Sequence, residues 1–415
     1  MTEVHGLVDH LFRHSAGQMV ATLTRVFGGA HLALAEEVVQ EALISALQQW
    51  SLHGVPENPR AWLFQVARNR ALDSLRRDIN LRGKEGEIVD AFRERSVDDE
   101  PHFAHELRDD QLRLMLMCCH PAIARESRIA LTLKTVGGFS VDEIARAFLT
   151  KKDTIAQRIV RAKRLIREEP IPIAMPSRTE LPERLETLLD VVYLMFNEGY
   201  TAHAGESLIR ADLCAEAIRL GRNLAEHPST ASPEIDALLA LMLLHSARTP
   251  ARVDAEGELV PLEEQDRALW DTAMLAEGMR TFGRSAQGAR LTAYHIEAAI
   301  AAIHAAAPTF AETDWVLMVE HYDHLLALKP SPVVALNRAV ALAMSDGVAA
   351  GIAAIDAIAA HPLLRDYPPL FIALGQLWLR SDDRTQAATH FNRALALPGS
   401  MAEKRFVLRQ LEKCR

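Results

Sequence analysis

The side chains of this 415-residue chain whose types and spacing suit them to chemistry are cations set at helical intervals. Between residues 151 and 167 stand Lys151, Lys152, Arg158, Arg161, Lys163, Arg164 and Arg167 against a single acid, Asp153. Ile155, Ile159, Ala162 and Ile166 recur through the same stretch on one side of a helix, which leaves the cations to the other side. A basic face of this kind suits a helix lying in a DNA major groove, with its first turns near base edges and later arginines near phosphates. A second basic island spans residues 60–82, where six arginines oppose Asp73 and Asp78. The two islands are separated by residues 85–110, which carry ten acids against Arg93, Arg95 and Arg108.

Other reactive residues are less suited to a site. Cys118, Cys119 and His120 are adjacent, but one tetrahedral metal site cannot easily take neighbouring cysteines with one His and no fourth ligand, so buried structural thiols are expected. Cys214 and Cys414 have no CxxC partner, and a disulfide framework is not expected. His321 and His324 lie three apart without a carboxylate motif beside them and read as surface residues. No metal or cofactor is expected. Asn197, Glu198, Tyr200, Asp266, Arg267 and Trp270 form a polar and aromatic set that can line a pocket; the plainer reading makes them helix-end and interhelical contacts. No nucleophile elbow, phosphate-binding glycine loop or zinc-protease helix occurs, so an enzyme is not expected.

The elements that position these groups are helices. Ser140 with Glu143 forms a capping-box signal for one helix, and Thr150 with Asp153 a similar start for the next, leaving room for a single turn between them. Val141, Ile144, Ala145 and Phe148 are the apolar side of the first. Upstream, residues 8–27 form a helix stopped at Gly28 and Gly29. Residues 33–50 form a second, burying Leu34, Val38, Ala42 or Leu43, Leu47 and Trp50 and exposing Glu36, Glu37, Gln40 and Glu41. After a loop marked by Gly54, Pro56 and Pro59, a third helix turns Trp62, Val66, Ala67, Ala71 and Leu75 inward.

With helix order established, AEEVVQEALISAL followed by NPRAWLFQVARNRALDSLRR resembles the second conserved region of bacterial sigma factors of the extracytoplasmic-function (ECF) class, and 137–168 resembles their fourth. The resemblance implies a factor that binds core RNA polymerase, recognises promoter DNA and opens it. It implies that Glu37, Gln40 and Glu41 dock on the polymerase, and that Asn58, Arg60, Arg68, Asn69, Asp73, Arg76 and Arg77 with the 51–59 loop read the −10 element. Lys152, Thr154, Gln157, Arg158 and Arg161 read and grip the −35 element on this footing, with Arg164 on phosphate. Unstacking a base costs a few kcal/mol; Trp62 would be the aromatic to receive it, but its place in the pattern is an inward one.

The charge balance follows the same division. Residues 1–168 carry a net +1 and residues 169–415 a net −10, which together make the −9 of the chain. PIPIAMPSRTELP, with four prolines, reads as a linker, and beyond it helical patterns continue to the C-terminus, interrupted by VDAEGELVPL as a candidate β-hairpin. Leu374, Gly375, Trp378, Ala387, Phe391 and Ala394 have tetratricopeptide-repeat (TPR) spacing, with a looser copy 38 residues earlier counted from Leu336. FNEGY and QDRALWD resemble the long helical extension of one ECF subgroup.

The expected fold is all-α. Its parts are a region 2 module at 1–82, an acidic linker at 83–110, a helix-turn-helix region 4 module at 111–168, a Pro-rich linker at 169–182, a helical extension at 183–290 and TPR-like repeats at 291–415. Core RNA polymerase and promoter DNA are the expected partners, with a protein partner for the repeats. A cytoplasmic location without membrane contact is expected, since no run of eighteen apolar residues and no signal-peptide pattern occurs. One alternative is a conventional helix-turn-helix activator whose C-terminal half senses a partner; another is an enzyme centred on 197–200 and 266–270. The C-terminal half is expected to regulate in cis, either by masking the DNA-binding surfaces or by bracing them.

Overall fold

Eighteen α-helices and no strand make up the described part of the chain. The computed structural model describes residues 2–82, 104–148, 150–169, 171–200, 210–254, 258–399 and 401–415; the side chains of 2–14, 78–82, 104–107 and 147 are outside that description. Most of the expected acidic linker, residues 83–103, thus lies outside the described residues. The chain forms two compact units, Met1–Met195 and Phe196–Arg415.

The first unit opens with α1 (Thr2–Phe27), α2 (Leu32–His53) and α3 (Pro59–Arg82). Gly28, at φ 91°, ends α1 where an L side chain would be strained, and Gly54, at φ 85°, does the same after α2. Both stops fall where glycines mark them in the sequence. Ala35, Val38, Val39, Ala42, Leu43, Ala46 and Trp50 of α2 are buried, and Leu34 and Leu47 half-buried. Trp62 departs from its expected inward place: it is half-buried, with its ring edge-on to Trp50 at 5.4 Å between centroids.

Four helices follow: α4 (Ala104–Cys118), α5 (Arg125–Thr135), α6 (Val141–Ala147) and α7 (Lys152–Glu168). Both halves of the Ser140/Glu143 capping box are formed, Ser140 N–H donating to Glu143 Oε2 at 2.7 Å and Glu143 N–H to Ser140 Oγ at 3.2 Å. The second expected start signal fails. The N-cap of α7 is Lys151, whose ammonium has no acceptor and makes no side-chain cap, while Thr150 belongs to the preceding turn, its N–H donating to Ala145 O at 2.9 Å.

The helix after the Pro-rich stretch, α8 (Leu181–Tyr200), straddles the division between the units. Its residues 181–195 are built into the first unit. Arg184, 3% exposed, donates to Leu116 O at 3.3 Å, and Leu188, Val191, Val192 and Met195 are buried. Arg128 holds Ile123 O, Pro121 O and Glu183 Oε1 at 2.6, 2.7 and 2.9 Å. Arg125 pairs with Asp190 at 2.6 Å. The prolines of 169–182 mark an irregular path, but packing of the first unit continues past them, since each buried Leu or Val on α8 contributes about 1.5–3 kcal/mol.

The second unit contains α9 (Ala211–Glu226), α10 (Pro233–Ser246), α11 (Thr272–Ser285), α12 (Ala293–Ala306), α13 (Trp315–Leu328), α14 (Pro332–Ser345), α15 (Val348–Ala359), α16 (Pro368–Arg380), α17 (Arg384–Leu395) and α18 (Met401–Glu412). Two helical pairs, α14 with α15 and α16 with α17, close on small residues. A Cβ on Gly351 would lie 2.3 Å from Ala343 Cβ, and one on Gly375 2.5 Å from the Phe391 ring. The expected β-hairpin is reduced to one antiparallel bridge, Val253 with Leu259, its tip at 255–257 outside the described residues. QDRALW is not α-helical as expected. A 3-10 turn at Leu262–Glu264 precedes it, and it forms a second at Arg267–Leu269, where Asp266 caps Ala268 N–H.

Candidate nucleic-acid interface

The helix α7 presents the basic face that its sequence pattern implies. Ile155, Ile159, Ala162 and Ile166 are buried toward α5 and α6, which leaves Lys152, Gln157, Arg161, Arg164 and Arg167 exposed and Thr154 half-buried. The cations are not all equally available. Lys152 pairs with Asp142 of α6 at 2.8 Å, and Arg164 pairs with Glu168 one turn on at 3.2 Å. Both pairs are exposed and worth little, so phosphate can displace them. Arg158 is half-buried rather than freely exposed, its guanidinium 6.0 Å from the Phe148 ring centroid.

Lys163 plays a different part, which the sequence pattern did not separate from its neighbours. Its ammonium donates to Glu36 Oε2 of α2, whose other oxygen accepts from Thr135 Oγ1 at 2.7 Å. Glu36 was expected to be exposed, yet its side chain is only 13% exposed. One carboxylate therefore joins α2 to α5 and α7. A second pair joins Arg25 of α1 to the buried Asp110 of α4 at 2.9 Å. The backbones meet closely as well: a Cβ on Gly17 would stand 2.8 Å from Val136 O. Burial holds the Asp110 carboxyl above its ordinary value of 3.8, with Arg25 working against that rise.

On α2, Glu37 and Gln40 are exposed. Glu41 is engaged: Arg70 donates to it at 2.5 Å and to Ser45 Oγ at 2.8 Å. Arg70 was absent from the expected site, and its tie between α3 and α2 leaves no local sequence signal. On α3, Arg60, Asn69, Asp73, Arg76 and Arg77 are exposed and Arg68 is half-buried. Asp73 accepts from Arg76 at 3.3 Å, and its carbonyl from Arg77 Nε at 3.3 Å. Asn58 has a structural task beside its expected one. Its Oδ1 accepts from Ala61 N–H at 3.2 Å, capping α3. Before it, Leu52 in the last turn of α2 is 79% exposed and Val55 in the loop 43% exposed.

The thiols take the structural places expected of them. Cys118 and Cys119 are fully buried, and burial pushes Cys119 up to about 12 and Cys118 well above the ordinary 9.0. Among the described residues no group of three or more His, Cys, Asp or Glu converges. His321 and His324 lie with ring centroids 6.4 Å apart.

The C-terminal polar set is only partly assembled. Tyr200 and Trp270 join a cluster of arginines, described below, and Arg267 is one of them. Asn197 is half-buried, Glu198 is buried at 4% exposure, and Asp266 is an exposed cap.

Comparison with known proteins agrees with this division. Sigma-70 region 2 matches residues 11–78, Sigma-70, region 4 matches 113–166, and a family of unknown function, DUF6596, matches 184–286. An uncharacterized protein of Rhizobium meliloti, R00370, is 38% identical over 419 residues, covering 98% of this chain and 96% of that protein. The ECF RNA polymerase sigma factor SigL of Mycobacterium tuberculosis is 32% identical over 168 residues, 39% of this chain and 90% of SigL. SigE of Mycolicibacterium smegmatis, also an ECF RNA polymerase sigma factor, is 26% identical over 160 residues, 39% of this chain and 60% of SigE. No solved structure matches. A region 2 module and a region 4 helix-turn-helix in this order define a sigma-70-type, DNA-binding transcription factor. More narrowly, the chain belongs to the ECF sigma factors, and it carries a long helical C-terminal extension.

Proposed function

We propose that this sigma factor binds core RNA polymerase through α2, reads promoter DNA with α3 and α7, and depends on its C-terminal half for productive initiation. Support for the DNA-reading role comes above all from α7, whose one-sided burial leaves Gln157, Arg161 and Arg164 outward at the free face of a capped helix-turn-helix. The α2 face of Glu37, Gln40 and Glu41 is the proposed polymerase surface, and exposed Leu52, at the end of α2, and Val55, in the loop after it, flank the place that would receive an unstacked base. In this role the protein needs no chemistry of its own and works where core polymerase is, in the cytoplasm.

The cis role of the extension is supported by α8. Its first part, with Arg184, Leu188 and Val192, is integral to the unit that holds the DNA-binding helices. A bracing role fits that construction better than a detachable mask. Run-off transcription with core polymerase on one promoter tests both halves of the proposal. The Glu41→Lys protein should fold yet be lost from polymerase pull-down, since charge reversal at a complementary surface weakens binding more than stability. A chain truncated after Tyr200, which keeps α8 whole, should bind core and initiate poorly; higher activity and tighter DNA binding would instead establish masking. Wild-type activity from the truncated chain would reject a cis role. Normal pull-down by Glu41→Lys would reject the α2 docking face.

A further inference from the structure

The second unit gathers three arginines beside Tyr200 and Trp270, Arg248 and Arg252 at the two ends of the 3-10 turn Thr249–Ala251 and Arg267 in another. Arg248 follows α10 and lies 5.6 Å from the Trp270 ring centroid; Arg267, in its 3-10 turn, lies 4.5 Å from the same ring. Arg252, 9% exposed, lies 3.7 Å over the Tyr200 ring and donates to Tyr200 O at 2.6 Å. Arg267 spends one nitrogen on His304 O and Ala307 O, at 2.7 and 2.6 Å, and Arg248 reaches Gln265 Oε1 at 3.4 Å.

Among the described residues these groups lack a counter-charge. Among the described residues none of the three makes an ion pair, although Glu312 acts on Arg267 from a distance. Two donors are also left over: among the described residues Arg267 Nη2 and the indole Nε1 of Trp270, a residue only 4% exposed, are buried without a hydrogen-bond partner, and the Nδ1 atoms of His245 and His304 are likewise unpartnered. Burial together with the nearby arginines pushes His245 down to about 3 and His304 to about 4, so both rings are neutral. Gathering cations out of water without an anion is unfavourable, and one removed partner leaves the rest uncompensated. Aromatic faces under Arg252 and Arg267 offset part of this. Guanidinium forks with spare N–H groups and an indole N–H are the donor set that carboxylate and phosphate oxygens accept from.

We propose that Arg248, Arg252, Arg267 and Trp270 form a binding site for a small molecule carrying a carboxylate or phosphate group. The site gives the extension a ligand input, and it stands whether or not the proposed cis role holds. The other arginine-rich place in this unit differs in kind. A groove of about 360 Å³ is lined by Arg222, Glu277, Arg280 and Arg284, but there Arg222 and Arg284 are already matched by Glu277 and Asp236 at 2.7 Å.

Calorimetric titration and thermal melting of the full chain test the site, with inorganic phosphate, pyrophosphate and citrate as probes and chloride at matched ionic strength as reference. Saturable binding of at least one probe, with a rise in melting temperature, is expected; which probe binds separates the phosphate from the carboxylate source. Arg248→Gln should weaken that binding about tenfold, the loss of one charge-assisted contact. Trp270→Phe keeps an aromatic face though a smaller one, removes the N–H, and should also weaken it, which decides the matter if Arg248→Gln does not fold. Arg222→Gln should change nothing. The proposal is overturned if no probe saturates below about 10 mM, if binding survives both Arg248→Gln and Trp270→Phe unchanged, or if Arg222→Gln abolishes it.

Discussion

Glu36 offers the sharpest test of how the DNA-binding unit is held together. Its carboxylate accepts from Lys163 and from Thr135, with side chains 13% exposed for Glu36 and 25% for Lys163. Replacing Glu36 by Gln keeps an oxygen for Thr135 and removes only the charge that Lys163 answers. A hydrogen bond to a charged group contributes about 1.5–3 kcal/mol. Water still reaches a quarter of Lys163, which screens the pair and lowers the figure to about 1–2 kcal/mol. The pair is best isolated by a double-mutant cycle of Glu36→Gln and Lys163→Met, read from equilibrium urea unfolding of the full chain. A coupling energy of about 1–2 kcal/mol is expected. Coupling below about 0.3 kcal/mol, the scatter of additive distant sites, would refute the reasoning and reduce the bridge to a surface pair.

Other expectations can be checked independently. Arg164→Ala should lower affinity for cognate and scrambled duplexes alike and reduce the salt slope by about one unit, because its exposed pair with Glu168 yields readily to phosphate. Arg158→Ala should lower affinity for the cognate duplex more, by about 1–3 kcal/mol of discrimination, and equal losses on both duplexes would show that α7 does not read sequence. Gly375→Ala should destabilise the second unit by about 1–3 kcal/mol, since its Cβ would meet the buried Phe391 ring at 2.5 Å; an unchanged melting temperature would contradict that packing. Acid should weaken the second unit. His245 and His304, held near 3 and 4 against an ordinary 6.5, take up protons only when unfolded, so their contribution is complete above pH 6.5 and is lost as pH falls toward those values. Urea midpoints compared at pH 7.5 and 5 should register a loss of about 1–2 kcal/mol per histidine. Asp110 in the first unit works in the opposite sense, its raised pKa favouring the folded state as pH falls. Equal midpoints at the two pH values would refute the neutral-histidine cluster.

The sequence alone determined what local rules govern. The buried stripe of Ile155, Ile159, Ala162 and Ile166, the Ser140/Glu143 box and the glycine stops after α1 and α2 follow from period and capping within a few residues, and the structure has them all. The order of the two sigma modules was legible from the resemblance of AEEVVQEALISAL, NPRAWLFQVARNRALDSLRR and 137–168 to the family's second and fourth regions, which helical period alone does not identify. Only tertiary structure decided that Glu36 is enclosed, that Arg70 ties Glu41 to Ser45, and that Lys163 serves the unit's packing. It also decided that α8 is shared between the units and that Trp62 is half-buried. The arginine cluster is the extreme case, assembled from residues 200, 245–252, 267–270 and 304, too far apart for any periodicity to join them. Side-chain charge can be read from sequence, but whether a partner neutralises it depends on distances that only the folded chain sets.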